Sequence, residues 1–197
     1  RFERLLEQLH TTYAEFSFIK HDFTVAHVIT FWQQVDSLLA HQNIYGLTAL
    51  YHAQKKLATD VTSPYFYNMI IVHCHLNRLR RQPLPTDEVT ALRQFLFHSA
   101  TWGGEELTLF SHALVIFDPT EILPLVRTAV ANFQAYTALP GYHDQLATLL
   151  GNALDLLITA RQLAAAKTVG RLAQQVLDFE HFSPATGRVR SLLMWLA

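Results

Sequence analysis

The sequence is short of what most alternatives to a helical protein require. A single cysteine, Cys74, excludes an internal disulfide and points to a reducing compartment, the cytoplasm. Seven glycines and seven prolines are few chain breakers for 197 residues. Short alternating runs bounded by turn dipeptides, the mark of strands, are missing. Charge of one sign is missing as well: 15 Lys and Arg face 16 Asp and Glu, for a net charge of −1 at pH 7. So balanced a chain has no long-range field with which to gather DNA or RNA. No apolar run approaches the ~18 residues of a membrane span, and the opening "RFERLLEQLH" has no uninterrupted apolar core of a signal peptide. Gly-rich phosphate loops and nucleophile elbows are also lacking, so nothing points to an enzyme or a cofactor. The first residue is not Met, and the chain is expected to be a piece of a longer protein.

What is present is apolar periodicity. Half of the residues are hydrophobic, and they recur at helical spacing almost throughout. The pattern predicts helices over 2–17, 22–41, 44–58, 64–81, 86–100, 104–117, 119–137, 142–160, 162–178 and 184–196. "TSPYF" supplies a cap followed by Pro64 in a first turn, Thr86 and Asp118 read as N-caps, and "LPGY" closes the helix that begins at Pro119. The expected fold is all-α: one helical-repeat domain over 1–197, a right-handed superhelix of stacked helical hairpins of the TPR or HEAT kind.

Two stretches carry the repeat. "LTLFSHALVIFD" (107–118) and "LATLLGNALDLL" (146–157) are nearly all-apolar helices with one polar side chain at the same place, His112 in the first and Asn152 in the second. With "YFYNMI" (65–70) in the same register, Asn68 joins them, at spacings of 44 and 40 residues. Around the circumference of 142–160, Leu146, Leu149, Leu150, Ala153, Leu154, Leu157 and Ile158 form a broad apolar arc. The opposite stripe is Gln145, Thr148, Asn152, Asp155 and Thr159. In 104–117 the stripe is Glu105, Thr108, His112 and Val115, and in 64–81 it is Pro64, Asn68, Ile71, His75 and Arg78. An inner helix of a solenoid has this form, because it packs on both neighbours and leaves one strip facing the concavity. An asparagine amide there offers donors and an acceptor to a peptide backbone. Each such bond contributes roughly 0.5–1.5 kcal/mol net. An open polar face needs no ligand, however, and the stripe alone does not decide.

Other features read more plainly. Eleven histidines suggest metal, and "VHCHL" is the densest cluster. His73 and His75 sit two apart on a helix and diverge by about 200°, so they cannot share an ion. Ser111 beside His112 diverges by about 100° and is no nucleophile–base pair. Trp32, Trp102 and Trp195 are expected in core and inter-repeat packing, and "RLRR" (78–81) as a solvated helix C-terminus.

"TWGGEELTLFSHALVIFDPTEILPL" resembles the Rgg (GadR/MutR) family of transcriptional regulators, in which a Trp-Gly-x-x-Glu-Leu run opens a helix of the form Leu-Phe-Gly-Asn-x-Leu. "LLGNALDLLITARQLAAAKTV" is similar to the family's later stretch. Trp102, Gly103, Glu106 and Leu107 match the opening run, and Asn152 matches the later asparagine. Here His112 replaces the first asparagine and Ser111 its glycine. The resemblance implies a C-terminal ligand-sensing domain of stacked helical repeats and a homodimer. It also implies a short hydrophobic signalling peptide on the concave face, and DNA contact only through an N-terminal helix-turn-helix module that this chain does not contain. The residues expected to meet the peptide are Asn152, His112, Asn68, Thr148, Asp155, Thr108 and Arg78. The rival reading is a constitutive scaffold that binds a protein partner and passes on no signal.

Overall fold

The computed structural model describes residues 27–61, 63–99, 102–133, 136, 141–180 and 183–196. The helix expected over 2–17 lies outside them. The described residues form α-helices and short turns: α1 (His27–Ala40), α2 (Ile44–Leu57), α3 (Pro64–Arg80), α4 (Thr86–His98), α5 (Gly104–Ala113), α6 (Pro119–Phe133), α7 (Tyr142–Thr159), α8 (Leu163–Val176) and α9 (Pro184–Leu196). Among these residues there is no strand.

The helices fall into two layers. α3, α5, α7 and α9 pack side by side in that order, while α4, α6 and α8 lie behind them, and α1 and α2 pack on the first of the series. The apolar arc of α7 explains why it sits at the centre. Leu146, Leu149, Leu150, Leu154 and Leu157 are fully buried, and each contributes roughly 1.5–3 kcal/mol by leaving water. One continuous core runs from α3 to α9, and a smaller one gathers Phe31, Val35, Leu47, Leu50, Val72 and Leu76 from α1, α2 and α3. α3 belongs to both.

The ends of the helices follow from local chemistry. Ser63 caps α3 ahead of Pro64, its hydroxyl accepting from the Tyr65 N–H at 3.3 Å. Asp118 caps α6 as expected: its Oδ1 accepts from the Thr120 N–H and hydroxyl, and the Glu121 carboxylate returns to the Asp118 N–H at 3.0 Å. At α4 the cap is Pro85, and Thr86 is the first helical residue. A second difference is that α5 stops at Ala113, and Leu114–Ile116 tighten into a 3₁₀ turn before Phe117 becomes extended. Pro119 disfavours helical backbone at Asp118, so the helix ends ahead of it and its last carbonyls close on shorter bonds. Of the three tryptophans only Trp102 is fully buried. Trp32 is half-buried, and Trp195, expected in packing, is 64% exposed near the C-terminus of α9.

The inner helices hold a fixed register. The Tyr142 hydroxyl at the start of α7 donates to the Trp102 carbonyl just ahead of α5 at 3.0 Å. A Cβ on Gly104 would come within 2.9 Å of the Gln145 side chain, so the first turns of α5 and α7 lie close. Gly103 caps α5, its N–H donating to the Glu106 carboxylate at 2.8 Å. A glycine has no side chain to return the favour, so this is half a capping box. The Trp-Gly-x-x-Glu-Leu run is thus a joint: its tryptophan fills the core and its glutamate fixes the helix start.

Candidate functional site

Between α5 and α7 the polar stripes face an open groove of about 500 Å³. Its apolar wall is Leu114, Val115 and Leu156. Its polar residues come from five helices: Asp36 of α1, His75 of α3, Ser111 and His112 of α5, Asn152, Asp155 and Thr159 of α7, and Arg188 of α9.

Asn152 is the centre of a short network. Its Nδ2 donates to the Ser111 Oγ at 2.9 Å, and its Oδ1 accepts from the Arg188 Nη1 at 2.6 Å. Arg188 also donates from Nη2 to the Asp155 Oδ2 at 2.8 Å. The Asn152 partner across the helices is therefore Ser111, not the His112 with which sequence register aligned it. The amide keeps one N–H and one lone pair uncommitted. The guanidinium likewise has donors beyond the two it spends.

His112 holds the other side of the groove. Trp32 stacks on its ring at 4.4 Å between centroids and 13° between planes, and the Asp36 Oδ1 lies 3.8 Å from its Nε2. Burial lowers the His112 pKa below its ordinary value, with Asp36 partly opposing the shift. The ring is therefore neutral at pH 7, and its contact with Asp36 is not a full ion pair. Beneath it, His75 stands edge-on at 6.0 Å and is only 6% exposed. Burial first, then the positive charge of a protonated His112 and of Arg78, push its pKa down to about 3. The buried His75 Nε2 has no hydrogen-bond partner among the described residues.

The structure brings together three of the seven residues expected to meet a peptide: Asn152, His112 and Asp155. Thr108 and Thr148 share their helix faces one turn toward the N-terminus and lie outside the groove, Thr108 with its hydroxyl bonded to the Gly104 carbonyl at 2.9 Å. Asn68 lies two turns from His75 along α3, about 10 Å on the helical rise, and is half-buried outside the groove. Arg78 is exposed near the C-terminus of α3 and acts on the groove only through its charge on His75. The residue opposite His112 on α3 is His75, because the helices cross with an offset that the short sequence alignment could not resolve. Arg188, Asp36 and Trp32 gave no signal in sequence: Arg188 reaches Asn152 and Asp155 across 36 and 33 residues.

His73, two residues from His75, points elsewhere, as the spacing requires. Its Nδ1 lies 2.7 Å from the Glu88 Oε2 on α4, and its ring stacks on Tyr51. Cys74 between them is fully buried, which pushes its thiol up to about 12 and leaves it unreactive.

Known proteins share this fold. Residues 47–181 match the family model of the C-terminal domain of the HTH-type transcriptional regulator Rgg. In overall shape the chain is similar to a candidate transcriptional regulator of Listeria monocytogenes EGD-e, with a TM-score of 0.76 and 19% identity over 99% of this chain and 67% of that one. It is also similar to two structures of the SHP pheromone receptor Rgg2 of Streptococcus dysgalactiae. A cysteine-to-serine form gives a TM-score of 0.70 at 19% identity over 100% of this chain and 70% of that one. The second gives 0.70 at 16% identity over 98% and 66%. The chain thus spans about two-thirds of the length of each of these proteins. On the match over 47–181, which takes in more than half of its residues, the chain belongs to the family of Rgg C-terminal domains, the regulatory part of HTH-type transcriptional regulators.

Proposed function

We propose that this chain is the sensing domain of a cytoplasmic, homodimeric regulator, and that it binds a short hydrophobic peptide in the groove between α5 and α7. The observation that carries the reading is the Asn152 amide, which faces an open groove with an apolar wall and retains a donor and an acceptor. An extended peptide can bond that amide through its backbone, whatever its side chains, while apolar side chains cover Leu114, Val115 and Leu156. His112 and Asp155 flank the same backbone. A peptide longer than the groove meets Thr148 and Thr108 next, one turn up the same face. That a related fold belongs to a pheromone receptor supports the same reading.

Transmission to a DNA-binding module follows from where α1 sits. Trp32 and Asp36 lie against His112, so a ligand that fills the groove meets α1 at that ring and biases the position of the chain's N-terminal helices. The test is fluorescence polarisation of labelled five- to ten-residue apolar peptides against the chain and its Asn152→Ala variant. Saturable binding that weakens roughly tenfold in a variant of unchanged helicity is the expected result. Each lost bond to a buried amide is worth about 1–3 kcal/mol, and tenfold is about 1.4 kcal/mol. Binding indifferent to Asn152, or none, leaves a constitutive scaffold as the better reading.

A further inference from the structure

Resting on the peptide reading above, we infer that the groove is built for a peptide with both ends free, its terminal ammonium at Asp36 and its terminal carboxylate at Arg188. The groove has a direction. α3, α5, α7 and α9 pack in order, so Asp36, which reaches in from α1 beside His112, and Arg188, which reaches in from α9 beside Asn152, stand at opposite ends of it.

The charges at the two ends differ in kind. Asp36 is 68% exposed, and its one ion-pair partner among the described residues is His112 at 3.8 Å. Burial keeps that ring neutral at pH 7. Asp36 is therefore the groove's uncompensated negative charge among the described residues. At the other end Arg188 is held in place rather than loose. Asn152 and Asp155 fix its plane with one bond each, at 2.6 and 2.8 Å, and the Cδ of its stem would lie 3.8 Å from a Cβ on Gly151. A guanidinium fixed in this way presents its remaining donors to a carboxylate without further loss of side-chain freedom.

Neighbouring helices pack about 8–10 Å apart, and the two charges flank a pair of them. A short peptide laid across that pair can bring its two ends to the two charges. Between the ends an apolar wall of Leu114, Val115 and Leu156 faces the polar groups of Asn152, Ser111 and His112, which serve backbone. Terminal charges therefore set direction and length, while the middle stays tolerant of side chains. The same arrangement disfavours an internal stretch of a longer polypeptide, which has no end to offer at either place.

The experiment uses four pools of hexapeptides built from Leu, Ile, Val, Phe and Gly: unblocked, N-acetylated, C-amidated and blocked at both ends. Each is equilibrated with the chain, and the retained fraction is read by mass spectrometry. Acetylation or amidation alone lowers retention roughly fivefold, the upper range for a solvent-accessible ion pair, and the two effects multiply. Asp36→Asn removes the acetylation effect and leaves the amidation effect. Arg188→Gln does the reverse, and Arg188→Lys retains a weaker amidation effect. If all four pools are retained equally, the inference fails and the peptide reading stands. If amidation is the effect that Asp36→Asn removes, the direction is wrong and the inference fails in this form. If no pool is retained, both fall together.

Discussion

Replacing Trp102 by alanine is expected to cost about 3–5 kcal/mol of stability, a large part of the 5–15 kcal/mol that holds a typical domain folded. The side chain is fully buried, stands edge-on to Phe110 at 5.3 Å, and its own carbonyl takes the Tyr142 hydroxyl that sets the register of α7 on α5. Alanine leaves a cavity at that joint, and neighbouring helix starts held by Gly103 and Tyr142 have little room to collapse into it. Trp102→Phe is the informative partner. The indole Nε1 is buried and finds no hydrogen-bond partner among the described residues. An unmet donor costs about 1–3 kcal/mol, so phenylalanine loses packing volume but also removes that penalty. Urea midpoints at constant slope should therefore rank the native chain and Trp102→Phe close together, with Trp102→Ala far below. A Trp102→Ala loss under about 1 kcal/mol would mean that the joint is not the packing centre described here.

The second large effect is acid sensitivity seated in the paired histidines. His75 has its pKa pushed down to about 3 by burial, by His112 and by Arg78. In the unfolded chain the same imidazole titrates near 6.5. Below that value the unfolded state takes up a proton that the folded state refuses, so stability is fully present above about pH 6.5 and is lost as pH falls toward the folded value. The loss approaches roughly 1.4 kcal/mol per pH unit for one such group. His112, also lowered by burial, acts in the same direction. The groups that face the pair are Asp36 from α1 and Arg78 from α3 itself, and Asp36 favours the protonated His112 without reversing the shift. Denaturation at pH 7.0, 6.0 and 5.0 should show the native chain weakening on the acid side. His75→Leu should be flatter over the same range, whatever its stability at pH 7. Equal slopes for the two chains would remove His75 as the source.

Much of this fold was legible because burial imposes a period. The α7 arc from Leu146 to Leu157 and its stripe through Thr148, Asn152 and Asp155 lie as the spacing required, and so do the caps at Ser63 and Asp118. Local chemistry decides such features, and a sequence displays local chemistry. The groove was only half legible for the converse reason. Asn152, Asp155 and His112 stand in it because each lies on the polar stripe opposite its helix's apolar arc. Arg188 and Asp36 stand in it because α9 and α1 happen to bring them there, and no spacing within either helix announces that. Asn68 looked equivalent to Asn152 by its neighbours in sequence. The actual offset between α3 and α5 puts His75 in the groove instead, two turns further on.

The most direct measurement of the central claim is the side-chain NH₂ resonances of the asparagines in ¹⁵N-labelled protein, followed as unblocked apolar hexapeptides are added. If Asn152 reads peptide backbone, its pair of signals moves saturably while those of Asn68, outside the groove, and of Asn77, whose Nδ2 donates to the Pro83 carbonyl at 3.1 Å, stay in place. Saturable binding that shifts Asn68 and leaves Asn152 still would contradict the account, because the ligand would then lie somewhere other than between α5 and α7.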